Sequence, residues 1–119
     1  MQNEVPCDRL INDGVELYED GELRQALERF EKALALCPGD VRALLWRGKV
    51  ELMAGKLDRA TSTLRSVLKG ARDPVAVAVA NFYLALAMFL YSFFVSDQEK
   101  VLEAAEYHIA EAEKALREV

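Results

Sequence analysis

The chain has 119 residues, a formal net charge of −5, and 52% hydrophobic against 29% charged residues. This length and composition are those of one well-ordered domain and exclude a long disordered tail, and the acidic balance disfavours nucleic acid as a partner. Ala, Leu, Glu, Lys and Arg are abundant, so we expect an all-α fold in a single domain over residues 1–119.

The N-terminal residues MQNEVPCDRL have neither a basic start nor a short apolar core. We therefore expect no secretory signal peptide and a cytoplasmic location. In that reducing compartment the two cysteines, Cys7 and Cys37, are expected to be free thiols. They open the first predicted helix and close the second, and these ends lie on the same side of an antiparallel pair, so a disulfide is geometrically allowed.

The sequence repeats itself at an offset of 34 residues. The identical pairs are all small or apolar: Leu10 and Leu44, Gly14 and Gly48, Gly21 and Gly55, Leu23 and Leu57, Ala26 and Ala60, and Leu34 and Leu68. A fixed period of this size in a helical sequence is typical of a solenoid of stacked helix pairs.

The spacing within the first copy predicts two helices and the turns around them. Apolar residues recur every three or four positions over residues 23–37, which predicts an amphipathic helix. Gly21 stands where the chain reverses between helices and where a positive φ is often needed. Gly14 offers a small surface for a close helix crossing. Pro38 ends the second helix, and Asp40 is placed to cap the third.

Residues 7–73 resemble two tetratricopeptide repeats, at 7–38 and 41–73. The family's small residue, turn glycine, alanine, aromatic, alanine and terminal proline match, in order, Gly14, Gly21, Ala26, Phe30, Ala33 and Pro38. The second copy matches with Gly48, Gly55, Ala60, Leu64 and Val67, and lacks the proline. The resemblance implies a right-handed α-α superhelix of about six antiparallel helices, which binds a protein segment on a concave face lined by the first helix of each pair.

Residues 75–118 depart from this pattern. Ala85 and Ala105 can take the parts of the small residues of the repeat only with eight additional residues between them. We expect a degenerate, elongated third pair, with helices over 75–95 and 98–118. The last helix has an apolar seam with acidic residues opposite, so it is expected to end the solenoid with its polar side towards water.

The run VAVAVANFYLALAMFLYSFFV, residues 75–95, contains no charged residue, and three interpretations are open. It is long enough to span a bilayer, but a span here would separate the last helix from every element able to cover its seam, so we disfavour a membrane segment. It can be a central helix buried on all sides. We favour the third interpretation, in which one side is core and the other is a surface for a partner or a second copy.

The sequence has no pattern that predicts a catalytic, metal or cofactor site. His108 is the only histidine, so a cluster of histidine ligands is excluded, and we expect a packed or half-exposed structural side chain. Neither cysteine has the local signature of a nucleophile, and the acidic clusters lack the alternate spacing of a calcium loop. We therefore predict no catalytic residue, no metal site and no cofactor, and a protein that is not an enzyme.

In the register of the family, nine residues are expected to face the concave groove: Ile11, Val15 and Tyr18 from the first helix, Leu45, Lys49 and Leu52 from the third, and Phe82, Leu86 and Phe89 from the fifth. Family members that clamp a C-terminal carboxylate use Lys and Asn where Ile11 and Val15 stand, so that ligand is not expected. The mostly apolar lining favours an apolar or amphipathic segment of another protein, held by a chaperone- or scaffold-like module. The alternative is a structural subunit in which helix 75–95 pairs two copies as a dimer.

Overall fold

The computed structural model describes residues 6–119. These residues form six α-helices, namely α1 (Pro6–Glu19), α2 (Leu23–Leu36), α3 (Val41–Met53), α4 (Leu57–Gly70), α5 (Pro74–Tyr91) and α6 (Gln98–Leu116), with a short 3-10 helix, Ser92–Phe94, after α5. Each helix packs against the next one in the chain, and α3 also contacts both α1 and α5. The predicted all-α solenoid of stacked helix pairs is confirmed.

The turns between helices follow from a few residues with special backbone or capping properties. Gly21 and Gly55 adopt φ of +82° and +78°, a region that favours glycine, and they reverse the chain within the first two pairs as predicted. Asp40 caps α3, because its side chain accepts hydrogen bonds from the backbone N–H groups of Arg42 and Ala43.

The two helices of each of the first two pairs cross where a glycine faces a large apolar side chain. A Cβ atom added to Gly14 would lie 2.6 Å from the ring of Phe30, and one added to Gly48 would lie 2.7 Å from Leu64. Both large side chains are fully buried. The 34-residue repeat in sequence is therefore a repeat in packing, with the glycine making room for the side chain that fills each pair.

The core consists of successive clusters, each of which joins a helix pair to the first helix of the next pair. One cluster unites residues of α1, α2 and α3, with Ile11, Phe30 and Val50 among its buried members. A second unites α3, α4 and α5 around Leu52 and Ala87. In each cluster the incoming helix covers the apolar side that the preceding pair leaves open.

A buried polar group, which the sequence analysis did not identify, links α3 to α4. Glu51 is 5% exposed, and its carboxylate accepts a hydrogen bond of 2.7 Å from the hydroxyl of Thr63. Arg47 donates to the same hydroxyl at 3.2 Å and places Nε 4.0 Å from the Glu51 carboxylate. Because a buried carboxylate without partners is costly, these contacts make the α3–α4 pairing specific.

The prediction of free thiols is wrong, because Cys7 and Cys37 form a disulfide. Their Cα atoms lie 6.3 Å apart, which shows that the start of α1 and the end of α2 do meet, as the antiparallel arrangement predicted. The disulfide therefore joins the first residues of the first helix pair to its last residues. The preference for thiols rested on the expected compartment and not on the geometry.

The interpretation of residues 75–95 as a helix buried on all sides is also wrong. The buried face of α5 is made mostly of small residues, with Ala76, Ala78, Ala80, Ala85 and Ala87 all at most 5% exposed. Leu84 is the large side chain of α5 that is fully buried, whereas two phenylalanines lie outside, since Phe82 is 59% and Phe89 is 49% exposed. Alanines let α5 approach its neighbours closely, and in consequence its aromatic side is left uncovered.

The last helix turns acidic residues such as Glu103, Glu106 and Glu113 towards solvent, as expected, but part of its apolar seam is exposed as well. Its apolar seam is divided, because Ala105 and Ala112 are buried while Leu102 is 37% and Ile109 is 47% exposed. Among the described elements α6 contacts only α5 and the 3-10 helix. With no further helix against it, the larger half of the seam faces solvent.

Candidate functional site

A groove runs between α3 and α5 on the side of the molecule lined by α1, α3 and α5. Its cavity of about 200 Å³ is lined by Leu45, Trp46, Lys49, Val79 and Tyr83, and we call it the α3–α5 groove. The lining is apolar and aromatic apart from the ammonium group of Lys49. A shallow groove of this composition can accept the apolar stripe of an extended or helical segment.

Aromatic rings hold the ammonium group of Lys49 at the edge of this groove. Its Nζ lies 5.0 Å from the ring centroids of both Tyr18 and Trp46, which is the distance of a cation–π contact. The two rings meet edge to face at 5.6 Å, and Trp46 in turn stacks on the buried ring of Phe30 at 6.1 Å. The core thus fixes Trp46, and Trp46 orients Lys49.

Lys49 has no carboxylate within salt-bridge distance among residues 6–119. Its charge is offset only by the faces of two aromatic rings, which attract a cation more weakly than a carboxylate does. An acidic group brought into the groove by a binding segment would therefore find an ammonium group that is already positioned.

The structure brings three of the nine predicted site residues together at this groove, namely Tyr18, Leu45 and Lys49. Two others are wrong as contact residues, because Ile11 and Leu52 are only 4% and 3% exposed and belong to the core clusters. The register of the family predicts them in the groove, but Ile11 packs among α1, α2 and α3, and Leu52 packs among α3, α4 and α5. Val15 is half-buried beside the first core cluster.

The three predicted residues of the fifth helix, Phe82, Leu86 and Phe89, line a different surface, between α5 and α6. Their register was set by matching Ala85 to the small residue of the first helix, and a change of one residue turns a helical face by about 100°. The residues that α5 contributes to the α3–α5 groove are Val79 and Tyr83.

Trp46 is the third groove residue that the sequence analysis missed. It lies three positions before Lys49 on α3, so the two side chains share one face of the helix. That spacing was a usable signal, as was the fact that the chain contains a single tryptophan.

The surface between α5 and α6 is a second groove, which we call the α5–α6 groove. Its cavity of about 380 Å³ is lined by Phe82, Ala85, Leu86 and Phe89 of α5 and by Leu102, Ala105, Glu106 and Ile109 of α6. It lies at the end of the solenoid, and Glu106 is the only charged residue in its lining.

A hydrogen bond between His108 and Asn81 joins α6 to α5. The Nδ1 atom of His108 lies 2.7 Å from the Asn81 side-chain oxygen, and because that oxygen can only accept, Nδ1 carries the proton. Asn81 is buried and its amide donates to the backbone oxygen of Val77 at 3.1 Å. His108 is thus a packed structural residue, as predicted.

The environment of His108 makes the stability of the chain dependent on pH. Burial, and then the charge of Arg65, lower the pKa of His108 from its usual value of 6.5. The unfolded chain therefore binds this proton more readily than the folded chain, so the contribution of His108 to stability is fully present above pH 6.5 and is lost as the pH falls towards the lower folded pKa.

We expect His108→Gln, which keeps a donor for Asn81 but cannot titrate, to remove this part of the pH dependence. Urea unfolding measured between about pH 5 and 8 should show the wild type losing stability relative to the variant as the pH falls below 6.5. Parallel pH profiles for the two proteins would contradict this assignment.

Two further findings concern chemistry and membranes. Among residues 6–119 there is no group of three or more His, Cys, Asp or Glu side chains that could hold a metal ion. One segment, Pro74–Phe94, is long and apolar enough to cross a membrane by length and composition, a test that core helices of soluble proteins also pass. It packs against α3, α4 and α6, and 44% of its most apolar stretch is buried in the protein.

Helix pairs that stack in chain order and leave a groove along their first helices define the class of helical-repeat solenoids. A family model described as tetratricopeptide repeat matches residues 17–88, more than half of the chain. The chain belongs to the tetratricopeptide repeat family, as its sequence predicted, and this family indicates a protein–protein interaction module. A comparison with curated proteins gives no match.

Proposed function

We propose that this protein is a non-catalytic, chaperone- or scaffold-like module that binds an apolar or amphipathic segment of another protein in the α3–α5 groove. The observation that carries the proposal is the ammonium group of Lys49, which two aromatic rings hold beside an apolar cavity and which no carboxylate of residues 6–119 pairs. Such a group adds orientation and charge selection to a site whose affinity comes from apolar contact.

The expected segment presents apolar side chains to Leu45, Val79 and Tyr83 and an acidic side chain to Lys49. The apolar contacts desolvate the site, which strengthens the charge pair at its edge. A segment that offers only apolar residues would lack this charge pair with Lys49, so the two kinds of segment should bind with different affinities.

The test uses two synthetic amphipathic peptides of about 18 residues, or five helical turns. Both have a leucine stripe; one carries Glu and the other Lys beside it, and we call them the Leu/Glu and Leu/Lys peptides. We expect Lys49→Glu to weaken binding of the Leu/Glu peptide by about tenfold. Lys49→Met, which keeps the apolar stem, should cause a smaller loss.

The matched control is Lys69→Glu, which makes the same charge change on the exposed surface of α4. It should leave Leu/Glu affinity unchanged after correction for net charge. If Lys69→Glu and Lys49→Glu weaken binding equally, the effect is one of overall charge and the α3–α5 groove is not the site.

Self-assembly through helix 75–95 stays the second prediction. It is supported by the exposed phenylalanines of α5, but a symmetric pairing that sets α6 against its twin would bring the exposed Glu99, Glu106 and Glu113 of the two copies together. We therefore favour partner binding over self-assembly.

The cytoplasmic location also stays a prediction. The cytosol keeps most cysteines reduced, so the thiol state of the protein in cells would test this location.

A further inference from the structure

The α5–α6 groove occupies the place where the solenoid would continue. Helix α3 packs on both α1 and α2, and helix α5 packs on both α3 and α4, so each incoming helix rests on the pair before it. The next position lies on α5 and α6. Within residues 6–119 no helix fills it, since α6 contacts only α5 and the 3-10 helix.

The side chains at this position have the spacing of a surface that receives a helix. Phe82 and Phe89 of α5 are seven residues apart, as are Leu102 and Ile109 of α6, and all four are more than a third exposed. A seven-residue interval keeps apolar side chains in one line along a helix, which is the pattern of a helix–helix seam. Between the two lines lies the cavity of about 380 Å³, with Ala85 and Ala105 among its lining residues.

The uncovered apolar area is large enough to indicate an interface. A phenylalanine side chain that is about half exposed contributes roughly 100 Å². Phe82 and Phe89, which are 59% and 49% exposed, therefore leave roughly 200 Å² open in the groove before the leucine and isoleucine residues are added. Phe93, 65% exposed, lies outside the lining and extends this apolar surface, because its ring meets that of Phe89 edge to face at 5.4 Å. Apolar patches of a few hundred Å² on a single chain commonly serve binding.

The charged residues of α6 indicate which kind of helix would fit the α5–α6 groove. Glu99, Glu106 and Glu113 follow one another at seven-residue intervals, are all exposed, and run beside the apolar line of that helix. Helix α5 carries no charged residue. An occupant is therefore complementary if basic residues flank its apolar stripe on the side towards α6.

The first junction of the solenoid already contains such a contact. The incoming helix α3 presents Arg42, whose guanidinium lies 2.5 Å from the carboxylate of Asp8 on α1. A second copy of this chain would bring α6 with its own acidic row, and Glu106 is part of the groove lining, so a partner with positive charges fits better than a twin.

We propose that the α5–α6 groove binds a basic amphipathic helix of a partner protein, which takes the position of the next solenoid helix. Its apolar stripe covers Phe82, Phe89, Leu102 and Ile109, and its Lys or Arg residues pair with the acidic row of α6. The site is separate from the α3–α5 groove, so the protein has two docking surfaces with opposite charge preference.

The probe is the labelled Leu/Lys peptide, whose binding to the full chain is followed by fluorescence anisotropy. We expect Glu106→Lys to weaken its affinity by about tenfold, and Phe89→Ala to weaken it by a similar factor. Glu28→Lys, an equal charge change on the exposed face of α2, is the matched control and should leave the affinity unchanged. Lys49→Met, which removes the charge of the α3–α5 groove without making that groove acidic, should also have no effect on this peptide, which separates this proposal from the proposed function.

Each variant is first shown to be folded by its helical circular dichroism. Equal weakening by Glu106→Lys and Glu28→Lys would overturn the proposal, because the peptide would then follow net charge alone. A stable dimer in light scattering, which Phe89→Ala converts to a monomer, would overturn it in favour of a second copy. Sedimentation of the peptide-free protein with phosphatidylcholine vesicles would overturn it in favour of a membrane surface.

Discussion

Replacing Phe30 with alanine is expected to lower the free energy of unfolding by about 4 kcal/mol, which is close to the whole stability of many small domains. Phe30 has no exposed surface and fills the space under Gly14. The indole of Trp46 stacks on its ring. The substitution would leave a cavity between α1, α2 and α3 that close-packed helices cannot fill.

The measurement is urea unfolding followed by circular dichroism, with Leu36→Ala as the control. Leu36 is 58% exposed on the same helix, so its truncation should change stability by less than about 0.5 kcal/mol. Phe30→Leu should give an intermediate loss and keep enough folded protein for binding studies. A loss for Phe30→Ala no larger than that of the control would show that the first helix pair is not packed as described.

Removing the disulfide is expected to lower the free energy of unfolding by about 3 to 4 kcal/mol. Cys7 and Cys37 are separated by 30 positions in sequence, and a cross-link of that span restricts the unfolded chain strongly. The double variant Cys7→Ala, Cys37→Ala avoids placing a hydroxyl at the buried position of Cys7. Its midpoint of urea unfolding should fall below that of the oxidised wild type.

Reductant provides the internal control for this prediction. It should lower the stability of the wild type to nearly that of the double variant and should leave the double variant unchanged. If reductant has no effect on the wild type, and free thiols are found in the purified protein, the disulfide is not formed in solution and the expectation drawn from the sequence would be restored.

The fold could be predicted from the sequence because its determinants are local and repeated. Gly21 fixes a turn through its backbone, Gly14 and Phe30 fix a crossing through their sizes, and the 34-residue period places the same set again. The third pair could not be predicted as well. Its small residues are alanines, of which α5 alone has five, so the sequence did not mark which of them lies at the helix crossing.

The site could be predicted only in part, because a groove is formed by side chains of several helices whose relative positions the sequence does not give. Lys49 was identified, but its positioning depends on Tyr18 from another helix and on Trp46, whose ring rests on the core. The contribution of α5 was misplaced by one residue, from Tyr83 to Phe82, which moved the prediction to the opposite groove. The antiparallel arrangement of α1 and α2 predicted that Cys7 and Cys37 could meet, but the sequence did not show that they form a disulfide.

The fluorescence of Trp46 tests the central claim most directly, because this residue is the only tryptophan of the chain and lines the α3–α5 groove. On addition of the Leu/Glu peptide, we predict a saturable change in Trp46 emission. Its midpoint should equal the one found by anisotropy of the labelled peptide, and the change should be lost in Lys49→Glu. Binding of the peptide without any change in Trp46 emission, or a change that Lys49→Glu leaves intact, would contradict it.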